Sequence, residues 1–171
     1  GVIILSLAFG SVLAVLTPPL RGPDETAHFV RTYGLSRGEI VPDSVDADGR
    51  KGLWMPAVVH RDFAFFEQVR AGEKKDGFSY AAVFADFGRR PPPAGAHEPA
   101  VFVRYEGSEG YSPIAYLPQT VGAMIAGGLG LDFLGTFYLA RLAGLVGATA
   151  AVALAVHLAG PLGWGFFAIA M

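Results

Sequence analysis

Three stretches almost without charge dominate this chain and limit what it can fold into. Residues 1–19 and 112–131 contain no charged side chain, and residues 136–171 contain one fixed charge, Arg141. A helix needs about 20 apolar residues to cross the roughly 30 Å hydrocarbon core of a bilayer. The pattern therefore predicts an all-α integral membrane protein with transmembrane helices over residues 1–19, 112–131 and 136–158.

The ends of the sequence suggest a piece of a longer protein. The chain begins with Gly1 rather than Met, and it stops at Met171 inside an apolar run. We expect residues 161–171 to be the truncated start of a fourth transmembrane helix. We also expect the fragment alone to be inactive.

The charged residues are concentrated between the first two apolar runs, in residues 20–111, which we call the loop domain. It holds 12 of the 13 Lys and Arg residues and 14 of the 15 Asp and Glu residues, so it must lie in water. Loops of this length usually carry function or fold separately. The pattern predicts a mixed domain with helices over residues 22–38 and 53–69 and an extended piece over 101–105. Residues 79–87 fit a strand or a helix.

Composition excludes some classes of function and indicates sidedness. The chain contains no cysteine, so it has neither disulfides nor thiolate metal sites. Its net charge of −2 argues against nucleic-acid binding, because no basic stripe could displace counterions from phosphates. Arg141, near the start of the third apolar run, favours a cytoplasmic turn before that run. The loop domain would then be extracytoplasmic.

Small residues spaced by four positions predict close helix packing in the last two apolar runs. Such pairs let helices approach closely in lipid. They are Ala123 with Gly127, Ala126 with Gly130, and the stripe Ala140, Gly144 and Ala148.

Adjacent acids, Asp24 and Glu25, mark the start of the helix that follows the first apolar run. Pro23 favours a first helical position, and acids in a first turn complement the helix dipole. Side chains of adjacent helical residues diverge, so at most one acid can cap the helix. The other can face a cavity at the membrane edge and serve as a general base. A purely structural role for both is the alternative.

Basic groups follow on the same helix. His28 shares a helix face with Asp24 and Glu25 and could bind a phosphate or hydroxyl, or it could simply lie at the interface. Glu25-x-x-His28 resembles half of a carboxylate metal site, but such sites need a second copy that this sequence lacks. We therefore assign no metal ligand and no specific cofactor, and a divalent metal stays an open alternative. Arg31 could neutralise a phosphate or could snorkel at the interface.

The stretch EGYSPIAYLPQ, residues 109–119, is the second candidate site. Tyr111 and Tyr116 fit an interfacial aromatic belt, and two prolines distort the entry into the second apolar run. Gln119 follows at membrane depth. Irregular backbone at such depth is tolerated inside protein or along a cavity, so we expect these residues to line a substrate cavity.

Three segments in this order resemble one family. They are PDETAHFVRTYGLSRGEIVP, GLWMP and YSPIAYLPQTVGAMIAGGLGLDFLGTFYLARLAG. The chain resembles the DUF2142 family of bacterial multi-pass membrane proteins, which is similar in turn to the GT-C glycosyltransferases. By that resemblance Asp24 would be the catalytic base and Glu25 its neighbour. His28, Arg31 or Arg104 would stabilise a leaving phosphate.

The resemblance implies a membrane glycosyltransferase-like protein of the bacterial cytoplasmic (inner) membrane. It would transfer a sugar from a polyprenyl-phosphate donor, with membrane lipid as its surroundings, to an extracytoplasmic acceptor. The alternative is a non-catalytic transporter or assembly subunit for surface polysaccharide, in which the acids and His28 only cap and anchor. The sequence predicts no nucleic-acid partner and leaves the oligomeric state open.

Overall fold

A computed structural model describes residues 2–76, 79–91 and 99–159. These residues form six α-helices and one antiparallel pair of short strands. In chain order the elements are α1 Val2–Leu16, α2 Glu25–Ser36, β1 Gly52–Met55, α3 Ala57–Asp76, α4 Tyr80–Gly88, β2 Val101–Arg104, α5 Leu117–Gly128 and α6 Phe133–Leu158. Two 3₁₀ turns, Ser108–Gly110 and Pro113–Tyr116, lead into α5. The predicted fourth transmembrane helix, residues 161–171, lies outside the described residues.

Helix α6 is a candidate membrane span. Its 26 residues reach about 39 Å at the rise of an α-helix. In its most apolar window only 11% of the residues are buried inside the protein, which favours a lipid-facing helix over the core helix of a soluble protein. Within the described ranges no other helix is both long and apolar enough. The apolar part of α1, Ile3–Leu16, is shorter.

Helix α5 differs from the expected transmembrane helix over residues 112–131. It has 12 residues, or about 18 Å, because a proline-led 3₁₀ turn precedes it and Gly130, at φ 67°, follows its end. It also runs antiparallel to the first half of α6, with Pro118 beside Gly147 and Gln119 beside Gly144. Residues 112–131 therefore form the short arm of a helical hairpin rather than one complete crossing.

Small residues make the contact between α5 and α6, but only some of the predicted ones. A Cβ atom added at Gly122 would lie 2.7 Å from the carbonyl oxygen of Leu139 and 2.8 Å from Ala143. The predicted Gly144 is also at the contact, 3.0 Å from Gln119 by the same construction. A Cβ atom added at Gly127 would meet no described residue within 4 Å, so the packing predicted at Gly127 is absent between the described helices.

An aromatic core joins the loop domain to the start of α6. Phe29 of α2 lies 5.2 Å from Phe133 and 5.5 Å from Phe137 between ring centroids, and Phe66 of α3 stacks on Phe133 at 5.8 Å. All four rings are at most 5% exposed. Because Phe133 begins α6, the turn before α6 lies on the same side as the loop domain. The expectation that this turn and the loop domain face opposite sides was therefore wrong.

The loop domain contains strands that local helical spacing does not reveal. Residues 53–55, expected in a helix, form a strand in which Leu53 pairs with Val103. The helix begins after Pro56 and continues to Asp76. The extended piece predicted at residues 101–105 is confirmed as β2. Residues 79–87, left open from the sequence, are helical, and the Ser79 hydroxyl accepts a hydrogen bond from the backbone of the first turn.

Candidate functional site

A tight turn at the start of α2 separates the two adjacent acids. The Glu25 N–H donates to the carbonyl of Gly22 at 3.2 Å, and the Gly22 N–H donates to the Glu25 carboxylate at 3.0 Å. Asp24 stands inside this turn with φ 52°, in the left-handed region that Asp and Asn tolerate better than most residues. Its exposed carboxylate makes no capping hydrogen bond. The two acids therefore diverge, as predicted, but Asp24 does not cap the helix.

The carboxylate of Glu25 is held by Arg141 of α6. Its two oxygens accept from Nε at 2.7 Å and from one terminal nitrogen at 2.6 Å. The same guanidinium donates to three carbonyls at the end of α1: Ala14 at 2.8 Å, Thr17 at 2.5 Å and Pro18 at 3.0 Å. These contacts occupy all five guanidinium N–H donors. Arg141, from which a cytoplasmic turn was predicted, ties three segments together.

Beside this ion pair lies a cavity of about 550 Å³ that we call the apolar cavity, since most of its wall is apolar. It is formed by α2, the 3₁₀ turn before α5, α5 itself and α6. Five residues predicted from sequence line it: Glu25, His28, Tyr111, Tyr116 and Gln119. The buried Oε1 of Gln119 has no hydrogen-bond partner among the described residues.

A second hollow of about 480 Å³ lies on the other side of His28, and we call it the polar hollow. Its polar wall includes Asp24, Glu67, Arg70, Glu106 and His28. Burial, and to a lesser extent the nearby charge of Glu106, raises the pKa of the Glu67 carboxyl. The sequence did not predict Glu67 and Arg70, because only the packing of α3 brings them beside α2.

His28 and Tyr111 form the partition between these spaces, and Tyr116 supports it from the side of the apolar cavity. His28 Nδ1 and the Tyr116 hydroxyl are hydrogen-bonded at 2.7 Å, which joins α2 to the turn before α5. The His28 ring centroid lies 5.8 Å from that of Tyr111 and 5.8 Å from that of Tyr116. Both His28 and Tyr111 line the apolar cavity and the polar hollow. A molecule on either side of the partition would contact them.

Arg31 has a structural environment rather than the predicted contact with a phosphate. It is 1% exposed and donates to the carbonyls of Glu39 at 3.1 Å and Ile40 at 2.9 Å. These bonds hold the chain that leaves α2. Arg31 lines neither the apolar cavity nor the polar hollow.

Arg104 is likewise engaged elsewhere. Its guanidinium lies 2.6 Å from Asp46 and 3.0 Å from Asp48. A backbone hydrogen bond from Arg50, together with Arg104, holds the pKa of Asp46 below its usual range. Arg104 is therefore a partner of the loop before β1, and the expectation that it binds the leaving phosphate does not fit this position.

The described residues contain no group of three or more His, Cys, Asp or Glu side chains that could hold a metal ion. The Glu25-x-x-His28 half-site does not form either. Glu25 turns to Arg141, whereas His28 turns to Tyr116.

One known protein family matches almost the whole chain. The family model described as "Predicted membrane protein (DUF2142)" matches residues 7–170. The chain belongs to the DUF2142 family. This assignment confirms the family resemblance seen in the sequence and agrees with the lipid-facing character of α6. No match was found among curated proteins or among solved structures.

Proposed function

We propose that this DUF2142 protein is a multi-pass membrane glycosyltransferase of the GT-C type. It transfers a sugar from a polyprenyl-phosphate donor to an acceptor at the outer face of the bacterial inner membrane. One observation carries the proposal: the apolar cavity and the polar hollow share the partition made by His28 and Tyr111. An amphiphilic substrate fits such a pair, with its chain in the apolar cavity and its polar group at the partition.

The proposed orientation starts from the two apolar helices, α1 and α6. They lie antiparallel, since Gly10 is beside Leu145 and the end of α1 reaches Arg141. In the proposal both helices cross the bilayer, and the loop domain lies outside the cell at their adjoining ends. Large apolar side chains exposed on both helices support contact with lipid. Examples are Phe9, Val12, Leu13, Val146 and Leu154.

Asp24 is the catalytic base in this proposal. Asp24 is exposed, makes no capping hydrogen bond and lines the polar hollow. Strained backbone conformations held by their surroundings cluster at functional sites. Glu106, also at φ 52°, lines the same hollow, although the buried Leu20 at φ 62° lines neither space. Glu25 is unsuited to the role because Arg141 already binds both of its oxygens.

The reaction is a single displacement. Asp24 takes the proton of an acceptor hydroxyl, whose oxygen forms a bond to the anomeric carbon of the donor. The bond between that carbon and the phosphate oxygen breaks, and polyprenyl phosphate leaves with the electron pair. His28 and Arg70 line the same hollow and are the groups available to stabilise the negative charge of the phosphate.

The test is Asp24→Asn in the full-length protein, with transfer of radiolabelled sugar from a polyprenyl-phosphate donor as the readout. Asn has nearly the same shape and also tolerates the left-handed conformation, so the substitution removes only the carboxylate. We expect transfer to fall roughly 10²- to 10⁴-fold, as for loss of a general base. Asp86→Asn, at an exposed ion pair on α4, is the matched control and should retain activity. Unchanged transfer in Asp24→Asn would refute the catalytic role.

One observation favours the alternative of a transporter or assembly subunit. Glu25 and Arg141 form a largely buried ion pair at the end of an apolar helix, and ionisable residues in such places often mark transport pathways. Under that alternative Glu25→Gln would abolish surface polysaccharide whereas Asp24→Asn would not. From the glycosyltransferase, the larger loss is expected in Asp24→Asn and a smaller loss in Glu25→Gln.

A further inference from the structure

We propose that Arg141 and Glu25 form a positioning lock that holds the carboxylate of Asp24 in place. This inference rests on the proposed function only for the catalytic consequence. The structural part concerns three chain segments, the end of α1, the start of α2 and the first half of α6, that meet at one guanidinium. Neither residue touches the reacting atoms in this proposal, and both act through Asp24.

First, the guanidinium of Arg141 uses all of its hydrogen-bond donors. Its five N–H donors are shared between the Glu25 carboxylate and the carbonyls of Ala14, Thr17 and Pro18. Carbonyls at the end of a helix lack partners within that helix, so the guanidinium caps α1 in addition to pairing with Glu25. The guanidinium carbon also lies 4.4 Å from the centroid of the Phe137 ring, which fixes its plane. No donor of Arg141 remains for a substrate.

The second step is the turn that contains Asp24. Glu25 closes this turn with two hydrogen bonds. Its N–H donates to the carbonyl of Gly22, and its carboxylate accepts from the Gly22 N–H. Between these closures Asp24 takes the left-handed conformation, which only Gly adopts without strain. A strained residue persists only where its surroundings fix it. The side chain that fixes Asp24 is the one that Arg141 binds.

The third step is that the lock requires arginine. Lysine offers three donors around a point charge, whereas the guanidinium offers five in a rigid fork that matches a carboxylate. Arg141→Lys can keep the charge of the pair but cannot serve Glu25 and three carbonyls together. Exchanging the two residues cannot restore the lock, because a carboxylate at position 141 would face the carbonyls of Ala14, Thr17 and Pro18.

The first measurement needs no enzymatic activity. Hydrogen exchange of the full-length protein in lipid nanodiscs, followed by mass spectrometry, reports on backbone amides in residues 20–28. Loss of the lock in Arg141→Gln should speed exchange there roughly tenfold or more, because local opening becomes easier. Arg89→Gln, at the exposed pair with Asp86, is the matched control and should leave this segment unchanged. Unchanged exchange in Arg141→Gln would overturn the proposal.

The second measurement separates positioning from general damage. Arg141→Lys should lower kcat up to roughly 100-fold, as a misplaced catalytic group does, with KM for the donor unchanged. In the double variant, Arg141→Lys should lower kcat no further than Asp24→Asn alone does, because both changes act through one carboxylate. If the kcat losses of the two single variants multiply in the double variant, or if KM for the donor rises, Arg141 does not act by positioning Asp24. Should Arg141→Gln fail to fold, Arg141→Lys serves in the exchange experiment as well.

Failure of the lock and failure of the proposed function give different results. If Asp24→Asn transfers sugar normally, the proposed function fails, while the exchange experiment still decides whether Arg141 holds the turn. If Asp24→Asn is inactive and exchange in Arg141→Gln is unchanged, the catalytic base stands and the lock is refuted.

Discussion

The apolar cavity and the polar hollow lie on opposite sides of His28, and each is lined by one of two adjacent acids. Glu25 lines the apolar cavity and is neutralised by a bidentate contact with Arg141. Asp24 lines the polar hollow and makes no capping bond. The difference shows that two adjacent acids at a helix start can have separate environments, with one bound by an arginine and the other facing a different hollow.

The walls of the two spaces are also built differently. The apolar cavity lies beside the contact between α5 and α6, where Gly122 of α5 meets the backbone of α6 near Ala140, a residue that lines the cavity. The polar hollow is formed by a turn, one side of α3 and the chain after β2. Two further predictions test whether the first wall is tightly packed and whether the second keeps a carboxyl group away from water.

The larger effect is expected at the contact between α5 and α6. A methyl group at Gly122 would meet the carbonyl oxygen of Leu139 at 2.7 Å, and a backbone atom cannot easily move. We expect Gly122→Ala to destabilise the protein by about 1–3 kcal/mol, as overpacking does. Thermal unfolding of the full-length protein in detergent provides the measurement.

The same substitution at Gly127 is the matched control, because nothing lies within 4 Å of its added Cβ. Gly127→Ala should leave stability unchanged or raise it by up to about 0.5 kcal/mol, because Gly127 lies in the last turn of α5, where replacing Gly gains less than in a helix interior. If both variants shift the midpoint in the same direction, the close contact between α5 and α6 is wrong.

The smaller effect is expected in the polar hollow and depends on pH. Burial and Glu106 raise the pKa of Glu67, so the folded protein binds a proton there before the unfolded chain does. Stability contributed by this group is therefore complete below its unfolded pKa of about 4.3 and is lost as pH rises through the folded pKa. Glu67→Gln, which stays neutral, should be the more stable protein at neutral pH.

Denaturant unfolding of both proteins across the pH range tests this sign. The stability difference between Glu67→Gln and the wild type should shrink as pH falls and disappear below the unfolded pKa. A difference that is constant with pH would mean that Glu67 is solvated and that the hollow does not perturb it.

Local sequence signals were enough for the start of the site. Pro23 and the acids predicted the start of α2, and that helix is confirmed over Glu25–Ser36. The proline and tyrosine pattern of residues 109–119 indicated an irregular helix entry beside a cavity, and Tyr111, Tyr116 and Gln119 do line one. Each of these signals lies within about ten residues of the feature it indicates.

Contacts between distant segments could not be predicted in the same way. Glu25 and Arg141 are 116 residues apart, so no spacing rule connects them. Strand β1 was missed because its partner, β2, comes only after α3 and α4. The length of α5 was overestimated because apolar composition alone does not register Pro113 and Gly130 as limits of the helix.

In the proposed complex, a polyprenyl chain occupies the apolar cavity while its phosphate reaches the partition at His28. Photocrosslinking tests it most directly, with a polyprenyl phosphate that carries a diazirine in its chain and the full-length protein in membranes. We expect labelled peptides from residues 111–119 and 137–144, and we expect unmodified polyprenyl phosphate to abolish the labelling. Labelling confined to outward-facing residues such as Phe9 and Leu154, unaffected by competitor, would contradict the account.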